Sequence, residues 1–215
     1  MLNKEILTKI FKNLLDEAKK SYDDFNSADG KIGDGDLGVT ILHGLEEVNN
    51  NLSKFSDDMG SNFMVCSQAF VKRSGSSFGT LIAFSFMNIS KNLKGKKECN
   101  HMDIVNIFEI SLKTILERGK TNLGDKTIAD SLDLIIKQLK DNQNYSEVFK
   151  SATKQALKDF KGKKIKIGRA RMFEDKISKE KKAIEDKKKE LEEIKTETEL
   201  KKNSKSKEKG TCGCC

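Results

Sequence analysis

The sequence predicts an all-α fold, and three observations carry that prediction. Apolar residues recur at helical spacing through most of the first 160 positions. No stretch alternates apolar and polar residues with period two for long, as a half-buried strand would. Glycine gathers in the breaks between the apolar stripes, where helices end. Taken in order, Leu2, Ile6, Leu7, Ile10, Phe11, Leu14, Leu15 and Ala18 form a first stripe of period about 3.6. A second runs through Ile41, Leu42, Leu45, Val48 and Leu52, and a third through Leu81, Ile82, Phe84, Phe86 and Ile89. The fourth is Ile104, Val105, Ile107, Phe108, Ile110, Leu112, Ile115 and Leu116, and a last pair covers Ile128 to Leu139 and Val148 to Phe160.

A chain of 215 residues builds one sizeable core, so a single domain with appendages is expected. Charge is divided unevenly along it. Of 41 basic and 33 acidic side chains, positions 161–215 hold 19 and 11, leaving 22 and 22 for positions 1–160. The net charge of +8 therefore sits in the last quarter. A neutral domain with a basic tail differs from a uniformly basic nucleic-acid binder, whose charge lies on the folded face that grips phosphates; no nucleic-acid partner is expected, and binding through the lysine tail is a third, competing reading. No segment approaches the ~18 consecutive apolar residues of a membrane span. The opening MLNKEILTKIFKNLL interleaves charges with apolar residues and is no signal-peptide core. Cys66 and Cys99 lie far apart and three cysteines crowd the end as TCGCC, which is not a secreted disulfide framework. A cytoplasmic protein is the expectation.

The stretch DGKIGDGDLGVT, Asp29 to Thr40, contains the dinucleotide spelling G-x-G-x-x-G at Gly33, Gly35 and Gly38. A Rossmann turn needs a strand before it, and both flanks read as helix. Asp29, Asp34 and Asp36 would also repel a pyrophosphate by themselves. An EF-hand starting at Asp34 would need a glutamate where Leu45 stands. Three carboxylates on a glycine-rich loop suit Mg²⁺, which takes a few carboxylates plus water and phosphate oxygens, and the ion would turn repulsion into attachment. A merely solvated acidic loop is the competing reading. In RSGSSFGT, Ser74, Ser76, Ser77 and Thr80 offer hydroxyls and Gly75 frees an amide, as a phosphate near a helix start requires. In GDKT, Gly124 to Thr127, the threonine is placed to cap the following helix, and capping leads over ligand contact. Arg169, in IGRARMF, reads as a surface arginine or an anion clamp.

The order of these loops resembles one family. D-x-x-I-G-D-G-D-x-G, then S-G-x-x-F-G-T, then R-G-K-x-x-x-G-D-K-T-x-x-D, then G-R-A is similar to the L subunit of dihydroxyacetone kinases, over residues 1 to about 176. The resemblance implies a barrel of eight antiparallel helices binding ADP or ATP at one end through two Mg²⁺ ions. It assigns Asp29, Asp34 and Asp36 to the metal. Ser74, Gly75 and Thr80 go to the phosphate loop, Gly124 and Thr127 to the loop near the nucleotide, and Arg169 to the phosphate side. It implies a phosphohistidine-carrying phosphotransferase subunit that recharges bound ADP from PEP, and a K subunit that holds dihydroxyacetone. No residue of this chain would carry the phosphoryl group covalently; positioning and charge neutralisation are its contribution.

The sequence departs from the family pattern at several points. Leu37 stands where histidine is usual and Thr40 where asparagine is common; Val71, Lys72 and Arg73 replace two glycines and an alanine. The adenine loop and the last apolar helix have no counterpart after GRA. The expected organisation is a nucleotide-binding helical barrel at 1–176, a charged helix at 177–200 and a basic, disordered, Cys-terminated tail at 201–215. The alternative to a kinase subunit is a non-catalytic nucleotide-sensing or adaptor protein whose basic tail meets a partner or membrane. The sequence leaves the oligomeric state, homodimer included, open.

Overall fold

The computed structural model describes residues 1–168 together with Arg171, Lys182 and Asp186. The chain divides into one unit at Met1–Arg171 and another at Met172–Cys215, and the fold described is that of the first. The charged helix expected at 177–200 and the tail at 201–215 lie outside the described residues.

Eight α-helices follow in order: α1 (Lys4–Lys20), α2 (Tyr22–Gly30), α3 (Leu37–Asn50), α4 (Met59–Arg73), α5 (Ser77–Asn92), α6 (His101–Gly119), α7 (Ile128–Asp141) and α8 (Tyr145–Phe160). A 3-10 turn at Leu52–Lys54 follows α3. Two of these helices carry no stripe in the sequence reading. The short α2 buries no residue. In α4 the buried set mixes Gly60, Asn62 and Ser67 with Met59, Phe63, Cys66 and Phe70, which dilutes the periodic signal.

Most helices begin at a side chain that takes up orphaned backbone amides. The Asn3 side chain accepts from Ile6 N at 3.0 Å, and Asp58 accepts from Gly60 N at 2.8 Å. Ser76 accepts from Gly79 N at 3.0 Å. Asn100 and Asp103 form a reciprocal capping box at the start of α6. The exceptions are the short α2, whose N-cap residue Ser21 makes no side-chain capping bond, and α3, whose N-cap residue Asp36 makes none either.

Helices adjacent in sequence pack side by side from α3 to α8, with α1 and α2 both against α3. Short turns between packed neighbours make the run up-and-down. The main core gathers α1, α3, α4 and α5 around Phe86, whose ring meets Phe11, Phe63 and Phe70 with centroids 5.7–6.1 Å away. Such aromatic pairs contribute roughly 0.5–1.5 kcal/mol each beyond their buried area. A smaller cluster of Val105, Ile136, Leu139 and Val148 joins α6, α7 and α8.

This alternation sends the turns to two ends. At one end, Leu2 pairs with Cys99 in an isolated bridge, Met59 N donates to Lys96 O at 2.8 Å, and Gly95 N donates to Asp58 Oδ1 at 3.1 Å. The same end holds the Lys96–Asp103 ion pair. These bonds tie the turns to one another. The glycine-rich loops 31–36, 74–76 and 120–127 occupy the other end, with 161–168 beside them.

Candidate functional site

The acidic loop is set by its neighbours. Asp29 lies in the last turn of α2, Asp34 in the loop and Asp36 at the N-cap position of α3. Gly35 takes a left-handed φ of +75°, a conformation glycine adopts without strain. A Cβ on Gly33 would fall 2.3 Å from Asp29 Oδ1, so only a bare backbone lets the loop close over that carboxylate. Asp36 N donates to Asp29 Oδ2 at 3.0 Å. The outcome is a cluster in which Asp29, Asp34 and Asp36 each offer a carboxylate oxygen, all within 4.8 Å of one another.

What keeps the Asp36 carboxylate out of the capping role is Asn26. Its Oδ1 accepts from Gly38 N at 2.7 Å and from Val39 N at 3.3 Å, capping α3 from the neighbouring helix. This approach is close: a Cβ on Gly38 would lie 2.4 Å from Tyr22 O. A residue type that ordinarily caps helices is thereby spared for another task. Three hard oxygen donors within 4.8 Å of one another, with a second residue relieving one of them of capping, fit a divalent cation such as Mg²⁺.

The second loop touches the first. Thr40, in the first turn of α3 and buried, donates its hydroxyl to Ser76 Oγ at 2.8 Å. Ser76 caps α5, and Thr80 Oγ1 donates back to Ser76 O at 3.0 Å. The Ser74 hydroxyl is buried and has no hydrogen-bond partner among the described residues. A Cβ on Gly79 would collide with it at 1.6 Å, so the serine sits directly on that glycine. Gly75, by contrast, has open space where a side chain would point. An orphaned hydroxyl beside an open glycine at the start of a helix suits a phosphate oxygen.

The bulky run before this loop forms the last turn of α4. Val71 is 69% exposed, and Lys72 Nζ donates to Glu47 Oε1 on α3 at 2.7 Å. That bond from Lys72 holds the Glu47 carboxyl below its usual range, with Asn51 assisting and burial opposing. Lys72 is therefore engaged with α3.

In the third loop, Thr127 Oγ1 accepts from Ala129 N at 3.2 Å. Asp130, buried, accepts from Thr127 N at 2.8 Å and from Gly124 N at 2.5 Å. Gly124 has φ +89° and Lys126 φ +64°. The structure thus gives the Thr127 hydroxyl a capping function. Lys126 Nζ donates to Lys163 O at 2.7 Å and Lys166 N to Asp125 O at 3.3 Å, stitching the segment after α8 to this loop. A groove of about 430 Å³ lies between the start of α7 and the end of α8, lined by Ala156, Leu157 and Phe160 together with Lys126, Thr127 and Lys161. Its size falls in the range of small-ligand pockets. Arg169 lies outside the described residues.

Asn26 and the Thr40–Ser76 bond had no signal in the sequence, since their partners are 12 and 36 residues away. Asp130 did have one: T-x-x-D is the spacing of a capping box.

A family model described as the DAK2 domain matches residues 31–202. The chain belongs to the DAK2-domain family. Its relatives include the PEP-dependent dihydroxyacetone kinase 1, ADP-binding subunit DhaL, of Listeria innocua, 29% identical over 72% of this chain and 76% of that one. Dihydroxyacetone kinase 1 of Saccharomyces cerevisiae is 29% identical over 70% of this chain and 27% of the yeast protein. The chain spans about half the length of the second Listeria innocua ADP-binding subunit, at 54%. In fold, this DAK2-domain protein matches the dihydroxyacetone kinase from C. freundii solved in complex with AMP-PNP and Mg²⁺, with a TM-score of 0.64. That match has 17% identity and covers 80% of this chain and 32% of the other. Among the described residues no helix is long and apolar enough to cross a membrane.

Proposed function

We propose that this DAK2-domain chain is the ADP/ATP-binding L subunit of a cytoplasmic dihydroxyacetone kinase. The observation that carries the reading is the convergence of Asp29, Asp34 and Asp36 within 4.8 Å while Asn26 caps α3 in place of Asp36. Mg²⁺ held there, two ions by the family resemblance, supplies charge neutralisation to phosphate oxygens. The chain's own residues do the rest by holding the ligand. The α5 N-terminus with Ser74, Gly75 and Thr80 receives phosphate oxygens, and Gly124 and Thr127 border the nucleotide. The groove lined by Leu157 and Phe160 offers apolar surface of the kind a purine base needs. Arg169 is assigned to the phosphate side. The acceptor is dihydroxyacetone on a separate K subunit, and a phosphohistidine-carrying subunit recharges bound ADP from PEP. Positioning and charge suffice because phosphoryl transfer asks little covalent chemistry of the protein.

A second reading has its own support. Lys72, in the bulky run before the serine loop, is drawn to Glu47 on α3. That detail favours a non-catalytic nucleotide-sensing or adaptor protein built on the same bundle.

A nucleotide-binding measurement tests the site, and the transfer assay that follows it separates the two readings. The protein is purified in Mg²⁺ and denatured, any released nucleotide is identified, and Asp36→Ala is treated alike. About one ADP per chain, lost in the variant, supports the kinase subunit and leads to a transfer assay with K and phosphohistidine subunits. No bound nucleotide, and no binding of added ADP or ATP with Mg²⁺, overturns the kinase reading.

A further inference from the structure

We propose that Thr40 is a positioning residue that couples the acidic loop to the serine loop, so that a cation on one side and a phosphate on the other bind cooperatively. The inference rests on the nucleotide reading and goes beyond it by assigning the coupling to one hydroxyl.

Thr40 has a place in both loops. Its backbone N donates to Asp36 O at 2.9 Å, the first intrahelical bond of α3, so its position is fixed to that of an acidic-loop residue. Its hydroxyl donates to Ser76 Oγ at 2.8 Å, and that oxygen in turn accepts from Gly79 N at 3.0 Å. The same side chain packs over Gly79, where a Cβ would stand 3.1 Å from Thr40 Cγ2 and 1.6 Å from Ser74 Oγ. A continuous path therefore runs from Asp36 through Thr40 to Ser76, and from Thr40 across Gly79 to the orphaned Ser74 hydroxyl. Thr40 is 5% exposed, so water does not compete for its hydrogen bond.

In this chain both the hydroxyl and the methyl of Thr40 are used. The hydroxyl fixes the start of α5 relative to the start of α3, and the methyl fills the space above Gly79. A displacement of Asp36 on binding a cation is passed to Ser76 through one backbone bond and one side-chain bond. By linkage, a phosphate at the serine loop then strengthens cation binding by the same factor. Valine keeps the shape and removes the donor; serine keeps the donor and removes the methyl.

The test measures linkage on the full chain. ADP affinity is determined by calorimetry with saturating Mg²⁺ and with EDTA, giving a coupling factor, for the wild type, Thr40→Val and Thr40→Ser. Loss of one buried hydrogen bond of this kind corresponds to roughly three- to tenfold. The expected result is that Thr40→Val lowers the coupling factor by that amount while ADP affinity in EDTA is nearly unchanged, and that Thr40→Ser restores most of the coupling. A Thr40→Val chain with the wild-type coupling factor overturns the proposal. So does a chain whose ADP affinity falls equally with and without Mg²⁺ alongside its thermal midpoint, because that is a purely structural role. If the wild type binds no ADP under either condition, the nucleotide reading fails first and the coupling fails with it. If the wild type shows Mg²⁺-dependent ADP binding that Thr40→Val leaves intact, only the coupling is refuted.

Discussion

Replacing Asn26 with alanine tests the division of labour at the start of α3. Asn26 Oδ1 is the acceptor for two backbone amides, Gly38 N at 2.7 Å and Val39 N at 3.3 Å, and α3 has no other side-chain cap. Removing an N-cap side chain costs about 0.5–2 kcal/mol. At ~1.5 kcal/mol the thermal midpoint of a unit of this size falls by about 3–6 °C. A second effect follows from the first. With its amides uncapped, α3 recruits Asp36, the residue already in the N-cap position, and the cluster loses one of its three carboxylates. Loss of a residue that supports a metal ligand typically costs about 10–100-fold in metal affinity. Asn26→Asp is the control for capping alone, because it keeps the acceptor while adding a fourth carboxylate one turn before Asp29. Thermal unfolding in EDTA reads the first effect, and calorimetric Mg²⁺ titration with ADP present reads the second. An unchanged midpoint for Asn26→Ala would refute the capping argument. A lowered midpoint with unchanged Mg²⁺ affinity would refute the claim that Asn26 frees Asp36.

Two further predictions concern the bundle itself. A Cβ on buried Gly44 of α3 would lie 2.3 Å from Phe70 Cε1, so Gly44→Ala forces the ring to move. Overpacking of that kind costs about 1–3 kcal/mol, against about 1 kcal/mol gained in helix propensity. Chemical denaturation should show a net loss for Gly44→Ala and recovery on adding Phe70→Leu. The second prediction concerns acid. The bond from Lys96 holds the Asp103 carboxyl below the ordinary aspartate value of 3.8, with burial opposing and the Asn100 amide assisting. A depressed folded value means the contribution is fully present above the unfolded pKa and is lost as pH falls through the folded one. Wild type should therefore exceed Asp103→Asn in stability at neutral pH, and the gap should close as pH drops below about 4. Denaturant midpoints at stepped pH check this, and a gap that widens toward acid contradicts it.

How much of this was readable in advance differs from element to element. Six of the eight helices follow from apolar period, because a helix that buries one face must repeat its apolar residues every three or four positions. α2 escapes that logic since it buries nothing, and α4 blurs it since buried Asn62 and Ser67 interrupt the stripe. Asn62 is satisfied inside the core by Ser56, to whose carbonyl it donates at 2.9 Å while accepting from Ser56 N at 2.8 Å. No composition rule anticipates that pairing.

By itself the sequence determined an all-α chain, an acidic glycine-rich loop with the chemistry of a hard cation site, and a threonine placed to cap the helix after it. These are local properties, fixed by residue type and by spacings of a few positions. The tertiary structure decided which residues act on one another across the bundle. It gave the cap of α3 to Asn26, tied Thr40 to Ser76 and claimed Lys72 for Glu47. Each of these bonds joins different helices, 12 to 36 residues apart. Their partners are chosen by how the helices pack, and no local pattern in the chain encodes that choice.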